Sequence, residues 1–193
     1  MKSPQLPKAK QLVEAAENSI GLTEGLVMAK YEIATLLSQI KLMQAQLDEL
    51  TIQLTELAKQ MTDYDYIASV PGIGDITIAD LLSEVGSLTQ YQHPRQLIKL
   101  AGLTLRENSS GKQKGQKRIS KRGRRKLRAL LFRVMMPLMK HNRAFKQLHE
   151  YYTTRTVNPL RKKQSIVVLC GKLLKILHAL CKKKRLFNEQ QMM

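Results

Sequence analysis

Apolar residues recur in alternating steps of four and three from Ala29 through Ile33, Leu36, Ile40, Met43, Leu47, Leu50, Leu54 and Leu57 to Met61. Gln, Thr, Glu, Asp and Lys fill the positions between them, and no glycine or proline interrupts the run after Gly25. A seam of this period predicts one long helix that must be covered by another helix. The stretch Gln11 to Ile20 could cover only part of it as an antiparallel partner. The expectation is a coiled coil with another chain, or with a second helix of a larger parent protein; packing of the seam on the chain's own globular part is the alternative. Residues 1–10, with Pro4, Pro7 and three lysines, read as a loose tail.

Asp63-Tyr64-Asp65 breaks the period. A short helix, Tyr66 to Val70, then leads through Pro71-Gly72-Ile73-Gly74 into a second helix, Asp75 to Val85, with Ile76, Ala79 and Leu82 inward and Ile78 beside them. Helix, Pro-Gly-apolar-Gly turn, helix is the helix-hairpin-helix pattern. Glycines allow positive φ and let a backbone approach a phosphate with no Cβ in the way. The amides at the start of the following helix favour an anion. Gly72, Ile73 and Gly74 are therefore candidate nucleic-acid contacts, with Ile73 anchoring the turn; contacts of this kind position DNA without reading its sequence.

Beyond Gly86 the pattern stays helical with one interruption. Pro94 opens a helix that Gly102 ends. Residues 103–123 have no helical period and no convincing strand; they form a polycationic arm or a loop that orders on a nucleic acid. Arg124 to Lys140 is amphipathic, with Leu127, Leu130, Leu131, Val134, Met135 and Leu138 on one face and Pro137 as a kink or end. Helices about Asn142 to Thr153 and Leu160 to Lys184 follow; Gly171 in the last reads as a site of close helix packing, and the tail from Leu186 reads as unstructured. The fold class is all-α: a long coiled-coil helix followed by a helical domain containing a helix-hairpin-helix motif. The expected division is 1–23, tail and short helix; 24–62, coiled-coil helix; 63–186, helical domain; 187–193, tail.

Charge sharpens this picture. The chain carries a formal charge of +18, and residues 106–193 hold 25 basic residues against 3 acidic ones. Residues 1–65 hold 6 basic and 9 acidic. A polycationic rear behind a near-neutral front points to a polyanion partner bound at one place. The candidate contacts are Arg106, Lys112, Lys114, Lys117, Arg118, Lys121, Arg122, Arg124, Arg125 and Arg128. Arg124, Arg125 and Arg128 crowd a helix N-terminus, which opposes the dipole and suggests that an external anion offsets the cost. No run of about 18 apolar residues and no signal-peptide pattern is seen, so no membrane partner and a cytoplasmic location are expected. Cys170 and Cys181 would lie on one helical face about 16 Å apart, too far for a disulfide. They read as small buried hydrophobes. His93, His141, His149 and His178 have no metal-ligand spacing, so no metal and no cofactor are expected on this chain.

Val70-Pro71-Gly72-Ile73-Gly74, Arg95 to Gly102 (RQLIKLAG), Leu103-Thr104, Ser110-Gly111 and residues 118–131 (RISKRGRRKLRALL) together resemble the C-terminal half of the insertion-sequence-110 (IS-110) family of transposases. The order and spacing match over roughly residues 64–150, and the long helix resembles that family's coiled-coil segment. The resemblance implies an N-terminal RuvC-like nuclease domain with an acidic Asp-Glu-Asp-Asp set that binds Mg2+. It also implies a C-terminal serine that attacks the DNA phosphodiester and links covalently to DNA, an active centre shared between protomers, and a structured RNA that guides the choice of DNA. Carried onto this sequence, the serine is Ser110, with Ser109 as the alternative.

Two departures stand out. The first 65 residues lack the strand pattern and acidic set of a RuvC-like domain, and Leu105 stands where a proline is common in the family. Alone, the chain is expected not to cleave DNA. Two functional readings follow: the DNA-binding C-terminal part of a serine-dependent transposase, or a non-catalytic nucleic-acid-binding module acting through the hairpin, the cationic face and a coiled-coil homo-oligomer. A ribosome-type or nucleoid-type structural protein would account for the charge but not for the spaced motifs.

Overall fold

The computed structural model describes residues 6–21, 24–106 and 118–191. It is all-α apart from one minimal ladder. Its backbone falls into two compact units, Met1–Glu49 and Leu50–Met193.

The first unit holds α1 (Leu6–Glu17) and most of α2 (Leu26–Lys59). Helix α1 begins five residues earlier than the sequence pattern suggests. Pro7 is its second residue, where the missing N–H costs nothing. Helix α2 runs 34 residues, about 50 Å of continuous helix. Its seam is exposed: Ile33, Leu36, Ile40 and Met43 each keep half or more of their surface. Only at Ala58, in the second unit, is a residue of α2 buried.

The second unit packs α3 (Tyr64–Ala68), α4 (Asp75–Val85), α5 (Pro94–Leu100), α6 (Arg125–His141), α7 (Arg143–Thr154) and α8 (Lys162–Lys183) around one apolar core. Helix α8 is the central element and touches α3, α5, α6 and α7. Ile166, Leu169, Leu173, Leu174 and Leu177 of α8 are buried. By length and composition the helix could cross a bilayer, but Lys172 and Lys175 interrupt it and half of its apolar stretch is buried in this unit. Burial against neighbouring helices accounts for that half of its hydrophobicity. His178 Nε2 hydrogen-bonds Tyr91 O at 2.8 Å, and His149 Nδ1 shares a 2.9 Å bond with Ser165 Oγ; both tie α8 to its neighbours. Asp63 is buried, and its carboxylate accepts from Leu88 N at 2.6 Å and Ser87 Oγ at 2.7 Å, fixing a 3-10 turn at Leu88–Gln90 over α3. A buried carboxylate needs such donors to offset its lost hydration.

Four local expectations are corrected. Ile76 is exposed, because Ile78, Ala79, Leu81, Leu82 and Val85 define the buried side of α4 and Ile76 lies opposite. Of the kink or end expected at Pro137, the end is ruled out: α6 continues to His141. Gly171 makes no close packing: a Cβ there would meet nothing within 4 Å. The tail past Leu186 is partly ordered, since Phe187 packs on the core and its amide donates to Ser69 Oγ at 2.9 Å.

The interrupted stretch after α5 forms a ladder of β1 (Leu105–Arg106) with antiparallel β2 (Arg118–Ile119), which the sequence pattern does not announce. Its root is built backbone on backbone. Lys121 N donates to Gly102 O at 3.0 Å, Ser120 N to Thr104 O at 2.8 Å and Arg124 N to Leu100 O at 2.7 Å. Gly102 (φ +67) and Gly123 (φ +141) make this possible. A Cβ on Gly123 would overlap Leu100 O and stand 2.8 Å from Gly102 N.

Two glycines should therefore respond with opposite signs. Gly123→Ala is expected to cost about 2–4 kcal/mol, from forbidden backbone and steric overlap. Gly171→Ala is expected to gain about 0.5–1 kcal/mol, as for any open helix-interior glycine. Urea unfolding followed by circular dichroism measures both.

Burial pushes the Cys170 thiol up to about 12; burial, then the Asp63 carboxylate, does the same for Cys181. Burial, then a hydrogen bond to Asp75, raises the Tyr64 hydroxyl to about 12. The unfolded chain releases these protons nearer 9 (thiols) and 10 (phenol), while the folded chain keeps them. Their contribution is whole below about pH 9 and is lost as pH rises toward 12. Between pH 8 and 10.5 the urea midpoint of the native protein should fall more steeply than that of a Cys170→Ala/Cys181→Ala variant. Parallel slopes would refute the assignment.

Candidate nucleic-acid interface

The Pro-Gly-Ile-Gly turn links α3 to α4, as its spacing predicts. Its two glycines do different work. Gly72 has φ +99, and a Cβ on it would lie 3.1 Å from Leu138 Cα and 3.2 Å from Pro137 O. The close approach it permits is to the backbone of α6. Ile73 is half-buried against the core. Gly74, the N-cap of α4, has no atom within 4 Å of its Cβ position, so this side of the turn is open. Asp75 follows in the first turn of α4 and pairs with Lys59 at 3.9 Å. That carboxylate already complements the helix dipole, which reduces the attraction of this end for a second anion.

The candidate residues of the basic region separate into three groups. Ser109, Ser110, Lys112, Lys114 and Lys117 lie outside the described residues. Arg106, Arg118, Lys121, Arg122 and Arg125 are exposed or half-exposed around the ladder and the start of α6. Arg106 and Arg118 are direct cross-strand partners. Arg124 and Arg128 are committed to the fold. Arg124 caps α6, donates to Glu84 O and stands 3.7 Å from the Glu84 carboxylate. Arg128 Nη1 donates to Ala101 O at 3.1 Å and Lys121 O at 3.4 Å. Part of the charge crowding at this helix end is thus offset internally by Glu84, and only the remainder calls for an outside anion.

The tertiary structure adds residues that the sequence reading passes over. Arg125, Arg128, Ala129, Phe132 and Arg133 fall on one face of α6, at helical spacing. That face forms one wall of a cleft of about 750 Å³. Lys163 and Val167 of α8 form the opposite wall, and Lys121 at the ladder root lines the same cleft. The signal was the step of three and four through residues 125–133. It was obscured because the buried face of the same helix dominates its pattern. Among the described residues no group of three or more His, Cys, Asp or Glu is placed to hold a metal ion.

Comparison with known proteins bears on this surface directly. The Transposase IS116/IS110/IS902 family matches residues 64–150, which run from α3 into α7 and include the turn, the ladder and α6. The chain is 36% identical over 89 residues to the transposase for insertion sequence element IS1111A of Coxiella burnetii, covering 46% of this chain and 24% of that protein. It is 29% identical over 125 residues to the pilin gene-inverting protein of Moraxella bovis, covering 64% and 38%. It is 24% identical over 180 residues to the insertion element IS116 uncharacterized 44.8 kDa protein of Streptomyces clavuligerus, covering 93% and 44%. The chain spans less than half the length of each of these relatives. The region from α3 into α7, with the glycine turn, the arginine-paired ladder and the cationic face of α6, thus matches the IS116/IS110/IS902 transposase family.

Proposed function

We propose that this chain is the DNA-binding C-terminal part of an insertion-sequence transposase or recombinase, and that Ser110, or else Ser109, is a nucleophile toward a DNA phosphodiester. The observation that carries the reading is the ladder. It brings the two ends of the serine-bearing segment side by side and sets Arg106 directly across from Arg118. Like charges opposite each other destabilise a ladder, and an anion between them reverses that sign. Lys112, Lys114 and Lys117 within the segment, and Lys121, Arg122 and Arg125 beyond it, extend the positive field.

The Gly72–Gly74 turn is assigned as a helix-hairpin-helix that adds sequence-independent backbone contacts. Because Asp75 occupies the helix end, its contribution is smaller than that of the arm. In the chemical step the serine oxygen forms a bond to phosphorus, the bond to a deoxyribose oxygen breaks, and the departing oxygen takes a proton. The cations stabilise charge on the phosphoryl oxygens. A metal or base must activate the hydroxyl, and the described residues do not fit a metal. The reading therefore assigns Mg2+ to a RuvC-like acidic domain outside this chain, acting in the cytoplasm on DNA chosen through a structured RNA. The exposed seam of α2 is assigned to a coiled coil with a second copy.

DNA binding should be dominated by counterion release, with affinity falling steeply as salt rises. Arg106→Ala/Arg118→Ala is expected to lower the slope of log affinity against log salt by about 2, measured by fluorescence anisotropy on a duplex. A flat salt response in the native chain refutes the binding role. Ser110→Ala should keep binding and lose strand transfer when the RuvC-like half is supplied. Unchanged strand transfer in both Ser110→Ala and Ser109→Ala would leave the non-catalytic binding module as the correct reading.

The chain should sediment as a dimer at micromolar concentration, and Leu36→Glu/Ile40→Glu should convert it to a monomer without loss of the second unit's helicity. A monomeric native chain would refute the coiled coil.

A further inference from the structure

The cleft between α6 and α8 has a composition that a duplex phosphate surface does not require. Its floor is apolar: Phe132 keeps 39% of its surface exposed, and Val167 lies opposite. Its rim carries Lys121, Arg125, Arg133 and Lys163, with no carboxylate among the lining residues. Arg128 braces the wall through its bonds to Ala101 O and Lys121 O. A volume of about 750 Å³ lies within the range of about 300–1,000 Å³ in which a small organic group is enclosed. Double-stranded DNA keeps the faces of its bases stacked inside and offers such a surface phosphates, sugars and base edges, but no open base face. An apolar floor with an exposed aromatic ring and a cationic rim fits a base out of its stack, with phosphates on either side.

We propose that this cleft binds an unpaired nucleotide of single-stranded DNA, the base lying against Phe132 and Val167 and the flanking phosphates on Arg125, Arg133 and Lys163. This rests on the transposase reading and deepens it. Lys121, at the root of the ladder, lines the cleft, so the unpaired nucleotide would lie beside the base from which the serine-bearing segment leaves.

The chain contains no tryptophan, so Phe132→Trp places a single indole at the floor, whose emission is read apart from the tyrosines by red-edge excitation. With the full chain, a six-nucleotide oligothymidylate should quench that emission saturably. An abasic strand of equal length, which has the same phosphates and no bases, should bind at least tenfold more weakly and leave the emission unchanged. A blunt duplex should bind without quenching. In Phe132→Ala the ratio of single-strand to duplex affinity should fall about five- to a hundredfold, the range expected for loss of one stacked base. Circular dichroism of both variants should match the native chain, since the ring is partly exposed. Equal quenching by the abasic strand, or an unchanged affinity ratio in Phe132→Ala, overturns the cleft assignment while duplex binding stands. Failure of the native chain to bind either strand form overturns the transposase reading with it.

Discussion

The contact on which the interface depends is backbone against backbone where the end of α5 meets the start of α6. Leu100 O accepts from Arg124 N, Gly102 O accepts from Lys121 N, and Gly123 passes where no side chain could fit. These bonds close a segment of more than a dozen residues at its base. A closed base matters because a free polycationic arm would lose a large conformational entropy on binding. Holding its two ends together removes part of that cost beforehand.

The helical core exists to present this root. Helix α8 supplies the floor against which α3, α5, α6 and α7 settle, and its polar core residues are spent on cross-links. His178 reaches Tyr91, Ser165 meets His149, and Asp63 secures the turn that precedes α5. None of these groups is left over for chemistry. The cations not spent inside lie on the rim, where the arginines and lysines outnumber the carboxylates and Glu84 offsets Arg124.

The family match and the geometry are separate arguments. The matched region runs from the glycine turn to α7, so it includes every described element of the interface except α8. Helix α8 contributes Lys163 and Val167 to the cleft, which makes the cleft a feature of the packing and not of the matched motif.

Much was legible in the chain itself. Periodicity located each described α-helix from α2 to α8 to within a few residues, and α1 less closely, because amphipathic spacing and the punctuation by Pro94 and Gly102 act locally. The uneven charge marked the rear half as the cationic half, because net charge is a sum over residues and needs no coordinates. What the sequence could not decide was which way each special residue faces. Gly72 turned its bare side to α6 and Gly74 to the open, and Gly171 had no close neighbour at all. Arg124 and Arg128 went to internal acceptors while Arg125 and Arg133 stayed on the rim. These outcomes depend on what lies across the gap from each residue. Partners such as Glu84 and Ala101, 40 and 27 positions away, are set by how the helices pack and leave no mark in local spacing.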